Sequence, residues 1–149
     1  MTPLYTAVAT ARGGREGRAV TDDGTLDLRL THPRQLGGTG EGTNPEQLFA
    51  AGYAACFANA LQTAARRMKL DATQAAVTAE VGLGSLGGGR FGLAVVLRIE
   101  LPEALAGEAG DRLVQATHQV CPYSNATRGN IPVELVIATK QPSHHTESP

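Results

Sequence analysis

The chain reads as an α+β fold, two principal helices packed on one face of a mainly antiparallel sheet. Three observations point there. A long stretch from Asn44 onward carries helix-start chemistry followed by small apolar residues. A pair of alternating apolar runs flanks Gly87-Gly88-Gly89, which reads as a hairpin. A second amphipathic run, Glu108 to Val120, ends against Pro122. The order strands, helix, hairpin, helix, strand favours antiparallel pairing and helices gathered on one face.

Each element has its own reason. Leu4 to Ala11 alternates as a strand and runs into the turn Arg12-Gly13-Gly14-Arg15-Glu16-Gly17-Arg18. Leu26, Leu28 and Leu30 alternate with Asp27 and Arg29, as in a half-buried strand. Gly37 to Gly42 forms a loop. Asn44 then suits an N-cap, Pro45 the first helical position, and Glu46 and Gln47 the positive helix end. Leu48, Gly52, Ala55, Cys56, Asn59 and Ala60 share one side at helical spacing, the side expected to face a sheet or a partner. This helix should end near Met68-Lys69-Leu70. Val77 to Leu83 and Phe91 to Leu101 make the hairpin strands, and Val133 to Ala138 the last strand.

At 149 residues and 15.5 kDa the chain suits one domain, residues 1–139, with a polar tail at 140–149. A net charge of -1 and a pI near 6.4 leave no basic footprint for nucleic acid. The opening Met1-Thr2-Pro3-Leu4-Tyr5-Thr6 has neither the basic region nor the apolar run of a secretory signal. The apolar stretch around Cys56 is interrupted by Asn59, Gln62 and Thr63, so no membrane span and a cytoplasmic location are expected. His32, His118, His144 and His145 lack ligand spacing with the cysteines, which argues against a metal site. The loop glycines lack the Gly-Lys-Ser/Thr ending of a phosphate loop.

Chemistry rests with two cysteines. A thiol attacks as thiolate, and an ordinary cysteine, with a pKa of about 8.5, needs a nearby cation to ionise at neutral pH. Cys56 has none within a helical turn and lies too deep in its helix for the N-terminal amides to serve. Arg15 and Arg18 in the early turn are the candidates, and Glu46 is the natural anion to hold an arginine drawn into an apolar pocket. Glu46 and Cys56 are ten residues apart, about 15 Å along one straight helix. A site containing both needs either a long bridging arginine or a glutamate from a second copy. Cys121, at a helix C-terminus where a thiolate is disfavoured, suits a resolving role. Against these stand plainer readings: both cysteines as small core residues, the arginines as solvated turn residues, Glu46 as a helix-start charge.

Three segments resemble a known family. Gly42-Thr43-Asn44-Pro45-Glu46-Gln47-Leu48-Phe49-Ala50-Ala51-Gly52-Tyr53-Ala54-Ala55-Cys56-Phe57 and Val120-Cys121-Pro122-Tyr123-Ser124-Asn125-Ala126-Thr127-Arg128-Gly129-Asn130 are similar to the two cysteine motifs of the organic hydroperoxide resistance (Ohr) proteins of the Ohr/OsmC family. Gly13-Gly14-Arg15-Glu16-Gly17-Arg18 resembles that branch's arginine turn, and the likeness runs from about Tyr5 to Ile137. The resemblance implies an intertwined homodimer and a cysteine-based peroxidase that reduces organic hydroperoxides to alcohols. By motif position Cys56 matches the peroxidatic cysteine and Cys121 the resolving one. Arg15 matches the activating arginine and Glu46 the glutamate that holds it. It further implies reduction by lipoylated protein or dihydrolipoamide, and no metal or bound cofactor. An osmotically induced relative with another substrate range, and a small-molecule-binding dimer with inert cysteines, are the competing readings. Phe49, Phe57 and Phe91 are expected to supply apolar surroundings.

Overall fold

The computed structural model describes residues 1–139; the tail expected at 140–149 lies outside the described residues. The chain divides into two compact units, Met1–Leu48 and a second from Phe49 onward. In the first, β1 (Ala9–Arg12), β2 (Arg18–Thr21) and β3 (Asp27–Arg29) form an antiparallel sheet in sequential order. Ala9 pairs with Thr21 and Arg18 with Arg29. The first strand is shorter than the expected Leu4 to Ala11. β2 ends opposite Ala9, so Leu4 and Tyr5 have no strand to pair with and stand exposed.

α1 (Pro45–Arg67) begins in the first unit and continues through the second. Its start follows the expected chemistry: the Gln47 N–H donates to Asn44 Oδ1 at 2.9 Å. The second unit then adds β4 (Ala76–Gly87), β5 (Arg90–Leu101), α2 (Glu108–Val120), α3 (Pro122–Thr127) and β6 (Val133–Thr139). β4 and β5 form an antiparallel hairpin in which Gly87 pairs with Arg90. The intervening Gly88 and Gly89 have φ of 63° and 76°, the left-handed conformation that a tight two-residue hairpin turn demands. β6 lies parallel to β5, with Val95 opposite Val133 and Ile99 opposite Ile137. The α+β class holds, as two three-stranded sheets with one parallel pair and a third, short helix. The parallel pairing follows from the connection, since a chain that crosses over through α2 and α3 returns in the direction it left.

The core of the second unit is built from one face of β5 (Val95, Leu97, Ile99, Leu101), from Leu113 and Val114 of α2, and from Tyr53, Phe57 and Leu61 of α1, each at most 2 % exposed. The face of α1 turned to this core is therefore not the small-residue side, the one expected to meet a sheet or a partner. Of that side's residues only Ala60 is buried; Ala55 and Asn59 are exposed and Cys56 is half-buried. Two aromatic rings remove far more apolar area from water than a stripe of alanines, so Tyr53 and Phe57 decide which way the helix rolls.

Gly110 of α2 is a packing requirement. A Cβ there would lie 2.3 Å from the Leu105 carbonyl oxygen and 2.7 Å from Leu101 Cδ1. Alanine favours an isolated helix over glycine by about 1 kcal/mol. Here the clash outweighs that gain. Gly110→Ala is expected to lower stability by about 2 kcal/mol, read as a reduced midpoint in urea unfolding with unchanged slope.

Candidate active site

Cys56 and Cys121 meet inside the second unit. Both are free thiols, and their sulfurs are 3.7 Å apart, with the Cys121 thiol directed at Cys56. Cys56 projects from the middle of α1. Cys121 is fully buried at the corner between α2 and α3: its N–H donates to the Thr117 carbonyl at 2.9 Å, and its own carbonyl accepts from the Asn125 N–H at 3.0 Å. It thus closes one helix and opens the next. The negative end of α2 is only half of its surroundings, because Pro122 starts α3 instead of merely ending α2.

That corner also shapes the surroundings of Cys56. Pro122 has no N–H, so Tyr123 carries the first free amide of α3, and this amide favours the ionised Cys56 thiol. Burial pushes the Cys56 thiol up from its ordinary value, the Tyr123 amide pulls it down, and the neighbouring Cys121 pushes it up again, with burial the largest effect. The rings of Phe49, Tyr53 and Tyr123 cluster beside the pair, with centroids 5.6 to 6.3 Å apart. Gly52 makes room for them. A Cβ on it would sit 2.6 Å from the Tyr123 hydroxyl and 3.2 Å from its ring. Phe57 is wholly buried in the core, and Phe91 stands on the hairpin, 69 % exposed.

The cationic residues lie in the first unit. Arg15 sits in a short 3-10 turn, Gly14–Glu16, between β1 and β2. The turn is tight enough that a Cβ on Gly17 would fall 1.6 Å from the Arg12 carbonyl oxygen. Arg15 grips Glu46 with two parallel bonds, Nη1 to Oε2 at 2.8 Å and Nη2 to Oε1 at 2.6 Å. Hydrogen bonding to Arg15 holds the Glu46 carboxyl below its ordinary range and raises the guanidinium further, so both are charged at neutral pH. Arg18, the other candidate, points into a different pairing: it bonds Asp27 across the β2–β3 ladder. Glu16 is taken by His32, whose backbone N–H and ring both reach its carboxylate.

Sequence reasoning passed over a third group. The Tyr53 hydroxyl lies 2.9 Å from Ser124 Oγ and 3.2 Å from Thr127 Oγ1, and His118 Nδ1 lies 2.8 Å from the same Ser124 oxygen. The available signal was the spacing of Ser124 and Thr127, one helical turn apart after Cys121, though nothing in the chain marks their partners. Among the described residues no cluster of three or more His, Cys, Asp or Glu side chains could hold a metal ion. No described helix is long and apolar enough to cross a membrane.

The chain is similar to known proteins along most of its length. Residues 38–136 match the family model described as OsmC-like protein. The organic hydroperoxide resistance protein of Xanthomonas axonopodis pv. citri is 56 % identical over 137 residues, which cover 91 % of this chain and 95 % of that protein. OhrB of Bacillus subtilis is 44 % identical over 135 residues, 89 % of this chain and 96 % of the relative. Its crystal structure superposes with a TM-score of 0.82 at 43 % identity, covering 91 % of this chain and all of that one. The organic hydroperoxide resistance protein of Elizabethkingia anophelis, crystallised with thiocyanate bound, superposes with a TM-score of 0.87 at 47 % identity, covering 94 % and 100 %. With these relatives spanning nearly its whole length, the chain belongs to the Ohr/OsmC family and, within it, to the organic hydroperoxide resistance branch.

Proposed function

We propose that the chain is a thiol peroxidase that detoxifies organic hydroperoxides. The observation that carries this reading is the 3.7 Å contact between Cys56 and Cys121 beneath a cluster of aromatic rings. The relatives' name, organic hydroperoxide resistance protein, supports the substrate class. In the first step the Cys56 thiolate attacks the peroxide oxygen distal to the alkyl group. The O–O bond breaks, the alkoxide takes a proton and leaves as alcohol, and Cys56 becomes a sulfenic acid. The Cys121 thiol then attacks that sulfur, a disulfide forms and water leaves. A dithiol returns the pair to its reduced state, and dihydrolipoamide or a lipoylated protein is the reductant of this reading.

Burial raises the Cys56 thiol, so the first step needs a cation. Arg15 is assigned that role, and Glu46 the role of holding it, in a homodimer whose sites draw on both copies. An alkyl chain gains from leaving water against Phe49 and Tyr123, which hydrogen peroxide cannot do. The cytoplasm, with its supply of reducing thiols, is the compartment in which such a cycle turns over.

Cys56→Ser is expected to abolish turnover of tert-butyl hydroperoxide with dihydrolipoamide, read as loss of alcohol formation. Retention of wild-type activity would end the proposal in favour of inert cysteines. Cys121→Ser is expected to complete one turnover and then stall, with Cys56 advancing to sulfinic acid under excess peroxide, a gain of two oxygens on intact mass.

Glu46→Gln separates the ion pair from the thiols. The folded carboxyl titrates below its ordinary 4.5, so its contribution is present above that value and is lost as pH falls through the depressed range. The variant is expected to be about 1 kcal/mol less stable at pH 7, with the gap from wild type closing below about pH 4. Urea denaturation across pH 3 to 7 measures it, and a pH-independent gap would show that the pair contributes shape alone.

A further inference from the structure

The buried hydroxyl cluster beside the thiols has a geometry of its own. Tyr53 lies three residues before Cys56 on α1, and Ser124 three residues after Cys121 on α3. The Tyr53–Ser124 hydrogen bond at 2.9 Å and the Cys56–Cys121 contact at 3.7 Å are therefore successive rungs between the same two segments, one helical turn apart. Tyr53, Ser124 and Cys121 are wholly buried and Thr127 is 4 % exposed.

Such a cluster is costly in a core unless each polar atom is satisfied, and here each one is. The bonds form a chain with a limited proton supply. Thr127 Oγ1 donates to the Ser124 carbonyl at 3.2 Å, which leaves it to accept from the Tyr53 hydroxyl. Tyr53 then accepts from Ser124 Oγ, and Ser124 accepts from an Nδ1–H of His118. In that direction every proton has one acceptor. The far end is tied down as well: Arg128 donates to the His118 carbonyl and to Asn125 Oδ1. The chain runs through α1, α2 and α3 and pins the corner that carries Cys121.

A tyrosine and a serine made apolar would fill the same space without the desolvation cost, so stability alone does not explain them. Sulfur geometry does. A disulfide requires the sulfurs to close from 3.7 Å to about 2.05 Å, whereas the first step requires Cys56 to meet peroxide before Cys121 covers it. We propose that Tyr53 and Ser124, braced by Thr127 and His118, are positioning residues that set the approach of Cys121 to Cys56 and so the rate at which the disulfide closes. This rests on the assignment of Cys121 as the resolving thiol.

The test separates closure from the peroxide step. Diamide, a diazene, takes one thiolate across its N=N bond; the second thiol then displaces the hydrazine, so two thiols are oxidised to one disulfide and one diazene is reduced. Reduced full-length protein is mixed with one equivalent of diamide or, in parallel, of tert-butyl hydroperoxide. Acid quench and intact mass follow the first adduct and the disulfide separately. Tyr53→Phe removes one oxygen and Ser124→Ala another. Both are expected to slow closure about tenfold while leaving the first step within twofold of wild type, and to enlarge the sulfinic fraction under excess peroxide. Thr127→Ser keeps its hydroxyl and is expected to close at the wild-type rate.

Closure within twofold of wild type in both Tyr53→Phe and Ser124→Ala overturns the proposal. So does an equal slowing by Thr127→Ser, which would make packing the cause. Should Ser124→Ala fail to fold, Tyr53→Phe, which keeps its ring, decides alone. A wild type that closes with diamide but not with hydroperoxide sinks the peroxidase reading, and the diamide rates still judge this one.

Discussion

The burial of Tyr53 and Phe57 against β5 and α2 is the constraint on which the thiol pair depends. These two rings set the rotation of α1, each contributing about 1.5–3 kcal/mol of apolar burial. Once they point inward, Cys56 falls at the margin of the core, half-buried, with α3 laid across it. A helix rolled so that Cys56 itself faced the core would bury two small side chains where two rings now sit. It would also close the thiol off from any reactant. The same rotation that stabilises the unit therefore leaves the sulfur reachable.

Burial has an electrostatic consequence. A sulfur removed from water loses the solvation that would favour its thiolate, and the single Tyr123 amide offsets only part of that loss. The proximity of Cys121 adds to the cost. A reactive thiol in this position needs a cation beside it, while a purely structural thiol would need none. The wholly buried Cys121 has the opposite circumstances: its backbone is tied at both N–H and C=O, so its side chain is presented in one direction, toward Cys56. The second thiol is thus fixed and the first left half-exposed.

Much of this was legible in the residues. α2 was readable to its last residue because its apolar positions recur at helical spacing and Pro122 follows. The cap at Asn44 was readable because its side chain answers a local need, the free amides of a first turn. The hairpin followed from glycines between alternating runs. What escaped was what local pattern does not encode. α1 is apolar around most of its circumference, so spacing alone could not tell its inner face from its outer one, and ring size decided. α3 has six residues and no apolar period, only a proline at its start. The direction of β6 is a property of the crossover, not of its alternation. The hydroxyl cluster joins residues more than seventy positions apart through bonds that neither segment advertises.

The manner in which Glu46 holds Arg15 bears on what the guanidinium has left to give. A guanidinium has five N–H donors, and the end-on grip on Glu46 uses one from Nη1 and one from Nη2. Three remain: the outer hydrogen of each terminal nitrogen and the Nε–H. A salt bridge of this geometry thus orients the cation without exhausting it. Its charge is partly offset by the carboxylate, so a guanidinium held this way acts less by long-range attraction, which a neutral pair barely exerts, than through directed donors at short range. A lysine would fail on that count, having its charge at one point and no second edge to present. The tight turn at Gly17 adds to this, because donors act over hydrogen-bond distances only if the backbone that carries them has a single place to be.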